Sequence, residues 1–147
     1  MKKICVLLLC LGLVGCAQGT RCFITDSTNT TNVSFDVALD KGFVKSMSSI
    51  GGGQAAMLFL VGPLTNNGVL LVGKETTGSI ERTAFRQRLR WGKNSFKVLL
   101  NNNATYQITA LLQGTRTGSK DVGTIKVGAS GNQHCTVNLL ENEVGIK

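Results

Sequence analysis

Histidine, proline, tryptophan and tyrosine each occur once in these 147 residues, and eight acidic side chains face 16 basic ones. One histidine leaves a Ser-His-Asp or Cys-His device a single possible base, His134, and gives a zinc-type centre no second imidazole. One proline and no glycine period exclude collagen, and no apolar heptad repeat supports a coiled coil. No apolar run reaches the roughly 20 residues that a membrane-spanning helix needs. What is present is a 42% hydrophobic, 16% charged composition, too apolar for a disordered chain. The length suits one domain, not two. Aromatic residues amount to six Phe with the single Trp and Tyr, so Val, Leu and Ile must fill most of any core.

The N-terminus carries an address. Met1 to Cys16 read MKKICVLLLCLGLVGC: two lysines, an apolar run from Ile4 to Val14, then Gly15 and Cys16. Charged, apolar and small segments in that order predict a cleaved signal peptide over residues 1–15. Leu13-Val14-Gly15-Cys16 resembles the lipobox of bacterial lipoproteins. The resemblance implies that the Cys16 thiol is acylated and becomes the first residue of the mature chain. Two or more acyl chains make membrane attachment stable where a single chain leaves it marginal. In that family Asp after the lipidated cysteine commonly favours inner-membrane retention. Ala17 stands here, which implies the outer membrane or the cell surface. The alternative is cleavage after Gly19 and release as a secreted protein.

Cys5 and Cys10 leave with the leader and Cys16 carries lipid, so Cys22 and Cys135 remain. In an oxidising exported compartment the two are disulfide candidates. A bridge closing so long a loop is worth about 4–5 kcal/mol in the chain-entropy model. The alternative is a pair of unbridged thiols. Loss of Lys2 and Lys3 with the leader leaves 14 basic against eight acidic residues, a net charge of +6.

Residues 17–32 are polar and aperiodic and read, with Cys16, as a lipidated tether. From Val33 alternation sets in: Val33, Phe35, Val37 and Leu39 share one face, Ser34, Asp36 and Asp40 the other. Period two is the mark of a half-buried strand. Further strands are predicted at Gly42–Ser46, Ala56–Val61, Val69–Val72, Ile80–Trp91, Ser95–Leu100, Thr105–Leu112, Gly123–Val127 and Cys135–Leu140. Gly- and Asn-rich turns such as Asn101-Asn102-Asn103 and Gly131-Asn132 separate them. Seven to nine short strands so spaced predict an all-β fold, a single antiparallel β-sandwich over residues 33–147. The strands around Leu58, Leu70 and Leu99 are apolar on both faces, which places each at a sheet centre or on a contact surface.

Over residues 94–140 the order is a strand, an Asn turn, a strand carrying Tyr106, Ile108 and Ala110, a Gly-rich loop and two closing strands. This order is similar to immunoglobulin-like and prealbumin-like sandwiches. It is similar, more loosely, to the small sandwich lipoproteins that include type III secretion pilotins. The likeness implies the architecture, and through the lipoproteins a secretion-accessory role; it transfers no functional residue.

Patterns that carry catalysis are missing or misplaced. His134 adjoins Cys135, but neighbouring residues of a strand point to opposite faces, so no Cys-His nucleophile is expected. Gly128-Ala129-Ser130-Gly131 lacks the spacing of a nucleophile elbow. Asp36 and Asp40 stand about 13 Å apart along one strand, too far to act together. Gly51-Gly52-Gly53-Gln54-Ala55-Ala56 has dinucleotide-loop spacing, yet a strand-like run follows it where a helix is required. No enzyme activity, no cofactor and no metal are expected.

One segment stands above background. Arg82 to Lys97, RTAFRQRLRWGKNSFK, holds Arg82, Arg86, Arg88, Arg90, Lys93 and Lys97 and no acid. On a strand, Phe85, Leu89 and Trp91 point inward while Arg86, Arg88 and Arg90 line the outer face about 6.6 Å apart. Guanidiniums offer planar bidentate forks to phosphate, sulfate or carboxylate. Arg86, Arg88, Arg90 and Lys93 are therefore the candidate anion-binding residues. Expected partners are the membrane, through the N-terminal lipid, and an envelope protein, an anionic glycan or a lipid headgroup. Nucleic acid is not expected of an exported protein with few aromatics for base stacking. Protection of an edge strand against stray pairing is the alternative use of the same charges. Two functions follow: a lipid-anchored, non-catalytic binding or assembly module, or a soluble secreted domain recognising an anionic target through this strand.

Overall fold

The computed structural model describes residues 21–22, 29–49, 68–79, 81–112, 118–129 and 131–147. Its strands are β1 (Arg21–Cys22), β2 (Thr30–Leu39), β3 (Val69–Glu75), β4 (Arg82–Leu89), β5 (Gly92–Asn101), β6 (Thr105–Leu112), β7 (Ser119–Lys126), β8 (Asn132–Leu140) and β9 (Glu143–Ile146), with one helix, α1 (Lys41–Ser49), after β2. A five-stranded sheet in the order β1-β4-β3-β6-β7 packs on a four-stranded sheet in the order β5-β2-β8-β9. The fold is an all-β sandwich.

Alternation dictates most of it. Val33, Phe35, Val37 and Leu39 of β2, Tyr106, Ile108, Ala110 and Leu112 of β6, and Cys135, Val137 and Leu139 of β8 all turn into one core. Phe35, Phe85 and Phe96 meet at its centre, with ring centroids 5.3 Å apart for Phe35 and Phe85 and 5.2 Å for Phe35 and Phe96. With few aromatics available, aliphatic side chains fill the remainder. The apolar strand around Leu70 is β3, at the middle of its sheet. The one around Leu99 is β5, a sheet edge, and Leu99 is 45% exposed.

Turn chemistry links the layers. The chain passes from β4 to β5 through Arg90, Trp91 and Gly92. There Gly92 takes a φ of +85°, and Asn94 holds the corner: Arg90 N–H donates to its Oδ1 (2.8 Å), and its Nδ2 donates to the Arg90 carbonyl (2.8 Å). The asparagine turn after β5 puts Asn103 at φ 57°, a left-handed conformation that Asn tolerates. Asn102 Nδ2 donates to the Ala129 carbonyl (2.8 Å), and Thr31 Oγ1–H donates to Asn102 Oδ1 (2.6 Å).

Four expectations are corrected. The segment Gly42–Ser46 is helical, within α1. Asp40 is the cause: its Oδ1 accepts the Phe43 N–H (2.7 Å) as an N-cap, and its Oδ2 accepts the Glu141 N–H (3.2 Å). Phe43, Val44 and Met47 then fall on one buried helical face. Second, the sheets are not purely antiparallel, because β2 runs parallel to β8 from Asn32↔Asn132 to Leu39↔Leu139. Third, the region read as tether contributes structure: Arg21 and Cys22 pair with Arg86 and Phe85, and β2 starts at Thr30.

Fourth, the disulfide expected between Cys22 and Cys135 is not present, and Cys135 is a free, buried thiol. Cys22 lies on the outermost strand of one sheet and Cys135 on an interior strand of the other. Burial pushes the Cys135 thiol up from its ordinary range, against a weaker opposing contact from the Gln133 side chain. Such a thiol is unreactive. The leader, Cys16, the glycine-rich segment at Gly51–Gly53 and the strand predicted at Ala56–Val61 lie outside the described residues.

Tyr106 is a measurable reporter of this core. The Asn101 N–H donates to its hydroxyl oxygen (2.8 Å). Burial pushes its pKa up from 10.0 to about 12, the Asn101 hydrogen bond opposing and the Glu75 charge adding slightly. An unfolded tyrosine loses its proton near 10 whereas the folded one keeps it to about 12. The contribution is therefore complete below pH 10 and lost as pH rises toward 12, about 2–3 kcal/mol in all. In melts taken from pH 9 to 12, Tyr106→Phe should be less stable at the low end by about 1 kcal/mol, from the orphaned N–H. That deficit should shrink or reverse at the high end.

Candidate functional site

β4 presents the basic row as alternation requires. Phe85, Gln87 and Leu89 are buried, Trp91 packs against the core, and Arg86, Arg88 and Arg90 are exposed. Arg88 is partly committed: its side chain lies across Gly68, with Nε 3.3 Å from where a β-carbon would stand, and it has a partner within the molecule. Arg86 and Arg90 make no salt bridge among the described residues; the ion pairs there are Lys74–Glu81, His134–Asp36 and Lys147–Glu143. β1 adds a basic position that the sequence did not flag, since Arg21 is in register opposite Arg86.

Lys93 does not join this row. It stands on β5 in the four-stranded sheet, opposite Ala38. Phe96, Val98 and Leu100 of β5 face the core, so Lys93 and Lys97 point outward on the reverse side of the sandwich. The arginine row and the lysine pair are thus two separate basic faces, and they approach each other only at the Arg90–Gly92 corner. β4 is also not the sheet edge, although β1 covers just two of its positions.

The outer face of the four-stranded sheet gathers groups that a linear reading keeps apart. Ser95 Oγ–H donates to Asp36 Oδ1 (2.6 Å), and His134 Nε2 lies 3.2 Å from Asp36 Oδ2. Register does this: β2 pairs with β5 at Asp36↔Ser95 and with β8 at Ser34↔His134. The carboxylate stands between the hydroxyl and the imidazole. Nucleophilic catalysis needs the imidazole between the other two, accepting the hydroxyl proton. Here Asp36 and His134 are 52% and 58% exposed, so water competes for every partner. The cluster is a solvated surface network.

Comparison with protein-family models, with curated protein sequences and with solved structures found no match. Among the described residues no three His, Cys, Asp or Glu side chains gather as a metal-ligand set. No described helix is long and apolar enough to cross a membrane. What the arrangement offers chemically is an outward row of guanidiniums on a rigid strand, able to take phosphate, sulfate or carboxylate oxygens without rearranging the core.

Proposed function

We propose that this protein is a non-catalytic binding or assembly module, exported and held by lipid on Cys16 at the bacterial outer membrane or cell surface. A pilotin-like secretion accessory is one form such a module takes. The observation that carries the reading is the arginine row along β4 and the corner that follows it, where Arg86 and Arg90 stand exposed with no acidic partner among the described residues. A row held rigid by the sandwich binds anions at low entropic cost. Anionic headgroups or an acidic envelope partner supply the complementary charge, and a lipid anchor holds the face close to both. The second reading, a secreted domain using the same arginines on an anionic target, rests on that face alone and dispenses with the lipid.

The N-terminus decides between them. Intact-mass measurement of the protein from its native host, with radiolabelled fatty acid feeding, should find a chain beginning at Cys16 with acyl mass added and label lost in Cys16→Ala. An unlabelled chain beginning at Thr20 overturns the anchored reading in favour of the secreted one.

A further inference from the structure

We propose that the free edge of β5 is a docking site for an extended acidic segment of a partner protein, which joins the four-stranded sheet as an added strand. This surface lies apart from the arginine row and is independent of lipidation.

β5 is the terminal strand of its sheet, 10 residues long, and pairs with β2 from Gly92 to Asn101 without a register shift. The direction of its amides follows from its end. Asn102 N–H donates toward β2, to the Asn29 carbonyl (2.7 Å). In an antiparallel pair the backbone groups of alternate residues point to the same side. Asn94, Phe96, Val98 and Leu100 therefore bond β2, while Lys93, Ser95, Lys97 and Leu99 aim N–H and C=O at the open side. The N–H of Asn101, next in that series, is taken by the Tyr106 hydroxyl, which ends the open run.

Sheet edges are normally blunted by bulges, proline, short length, charged side chains or a covering element; of these β5 has only Lys93 and Lys97 among its described features, and paired acids on an incoming strand would turn that repulsion into recognition. β5 has no proline or bulge, and no described strand pairs with its free side. At the other end of the sandwich β7 and β9 close on each other, the position of a Gly123 β-carbon lying 3.7 Å from Ile146. The asymmetry leaves β5 as a long edge with no strand on its outer side among the described residues.

The side chains specify the occupant. Lys93 and Lys97 lie on one face about 13 Å apart, and β5 carries no acid. Asp36, the acid on the neighbouring strand, is engaged by Ser95 and His134. Leu99 is 45% exposed on the same face, and Phe96, at 9%, is the least buried of the four core phenylalanines. An added strand should therefore carry acids opposite Lys93 and Lys97, an apolar residue opposite Leu99, and apolar inward residues that extend the layer of Phe96 and Val98. A second copy does not meet this pattern, because it would bring the same lysines and no acid.

The probe is a synthetic nine-residue peptide with Val at its five inward positions and Glu, Thr, Glu and Leu at its four outward positions, in both chain orders, titrated onto the full chain. One order should bind. Lys93→Glu with Lys97→Glu should weaken it at least 10-fold, a Lys-for-Glu peptide should recover binding to that variant, and Arg86→Gln with Arg90→Gln should leave affinity unchanged. N-methylation of the peptide amides on the bonding register should abolish binding, and N-methylation on the opposite register should preserve it. Both lysines are exposed, and a circular-dichroism melt confirms that the variants fold. Absence of binding in both orders, equal tolerance of N-methylation on the two registers, or lysine-dependent binding to phosphatidylglycerol vesicles without peptide binding each overturn the proposal.

Discussion

Phe85→Ala is expected to lower the unfolding free energy by about 3–5 kcal/mol. Phe85 is fully buried and packs on Phe35 and Phe96 across the two sheets, at 5.3 Å and 6.1 Å between ring centroids. Beneath it lies Gly73, its direct partner on β3. A β-carbon at Gly73 would stand 2.2 Å from Phe85 Cε1, so the ring occupies the space that a side chain would fill. Gly73→Ala should therefore cost about 1–3 kcal/mol by overpacking, though alanine is otherwise better suited than glycine to a strand. The two changes must couple. Once Phe85 is alanine, the clash is gone, and Gly73→Ala should be neutral or stabilising. Denaturant titrations of the two single variants and the double variant measure this directly. Additive losses, within about 0.5 kcal/mol, would show that the ring does not fit over the glycine as described.

Side-chain alternation made much of this core legible in the sequence. The inward rows of β2, β6 and β8, the outward arginines of β4 and the asparagine turn after β5 all follow from period two and turn chemistry, both of which are local. The helix is not legible because Gly42–Ser46 is too short to display its period. The deciding group, Asp40, continues the polar face of β2 in sequence while serving as an N-cap in space. Sheet membership was harder still. Nothing in RTAFRQRLRWGKNSFK marks the corner at Gly92 as a passage to the opposite sheet, yet that passage separates Lys93 from Arg86 and Arg88. The parallel partnership of β2 and β8 joins segments about a hundred residues apart, and it alone brings His134 to Asp36. Elimination pairs Cys22 with Cys135 only because they are the two cysteines left over. A count of leftovers carries no distance, and Cys135 is a free, buried thiol.

The separation of the two basic faces gives the arginine row a discriminating test. Each basic residue near an anionic surface is worth about 1 kcal/mol, and about 1.4 kcal/mol is a tenfold change in affinity. Arg86→Gln with Arg90→Gln should weaken binding to anionic vesicles roughly 20- to 30-fold. Adding Arg88→Gln should bring the loss to about 100-fold at most, because Arg88 already has a partner within the molecule. Glutamine keeps much of the stem, so packing over Gly68 is largely retained and the melting temperature should barely move. Lys93→Gln, on the opposite face, should change affinity less than threefold. Binding by the unaltered protein should also weaken steeply with salt, since the screening length falls from about 10 Å at 0.1 M to about 3 Å at 1 M. At high salt the native and triple-variant isotherms should converge. If Lys93→Gln matches the arginine changes, the binding is diffuse and the row is not a site. If the triple variant binds unchanged but self-associates, the arginines serve β4 as charge protection, and the anionic-target reading falls with them.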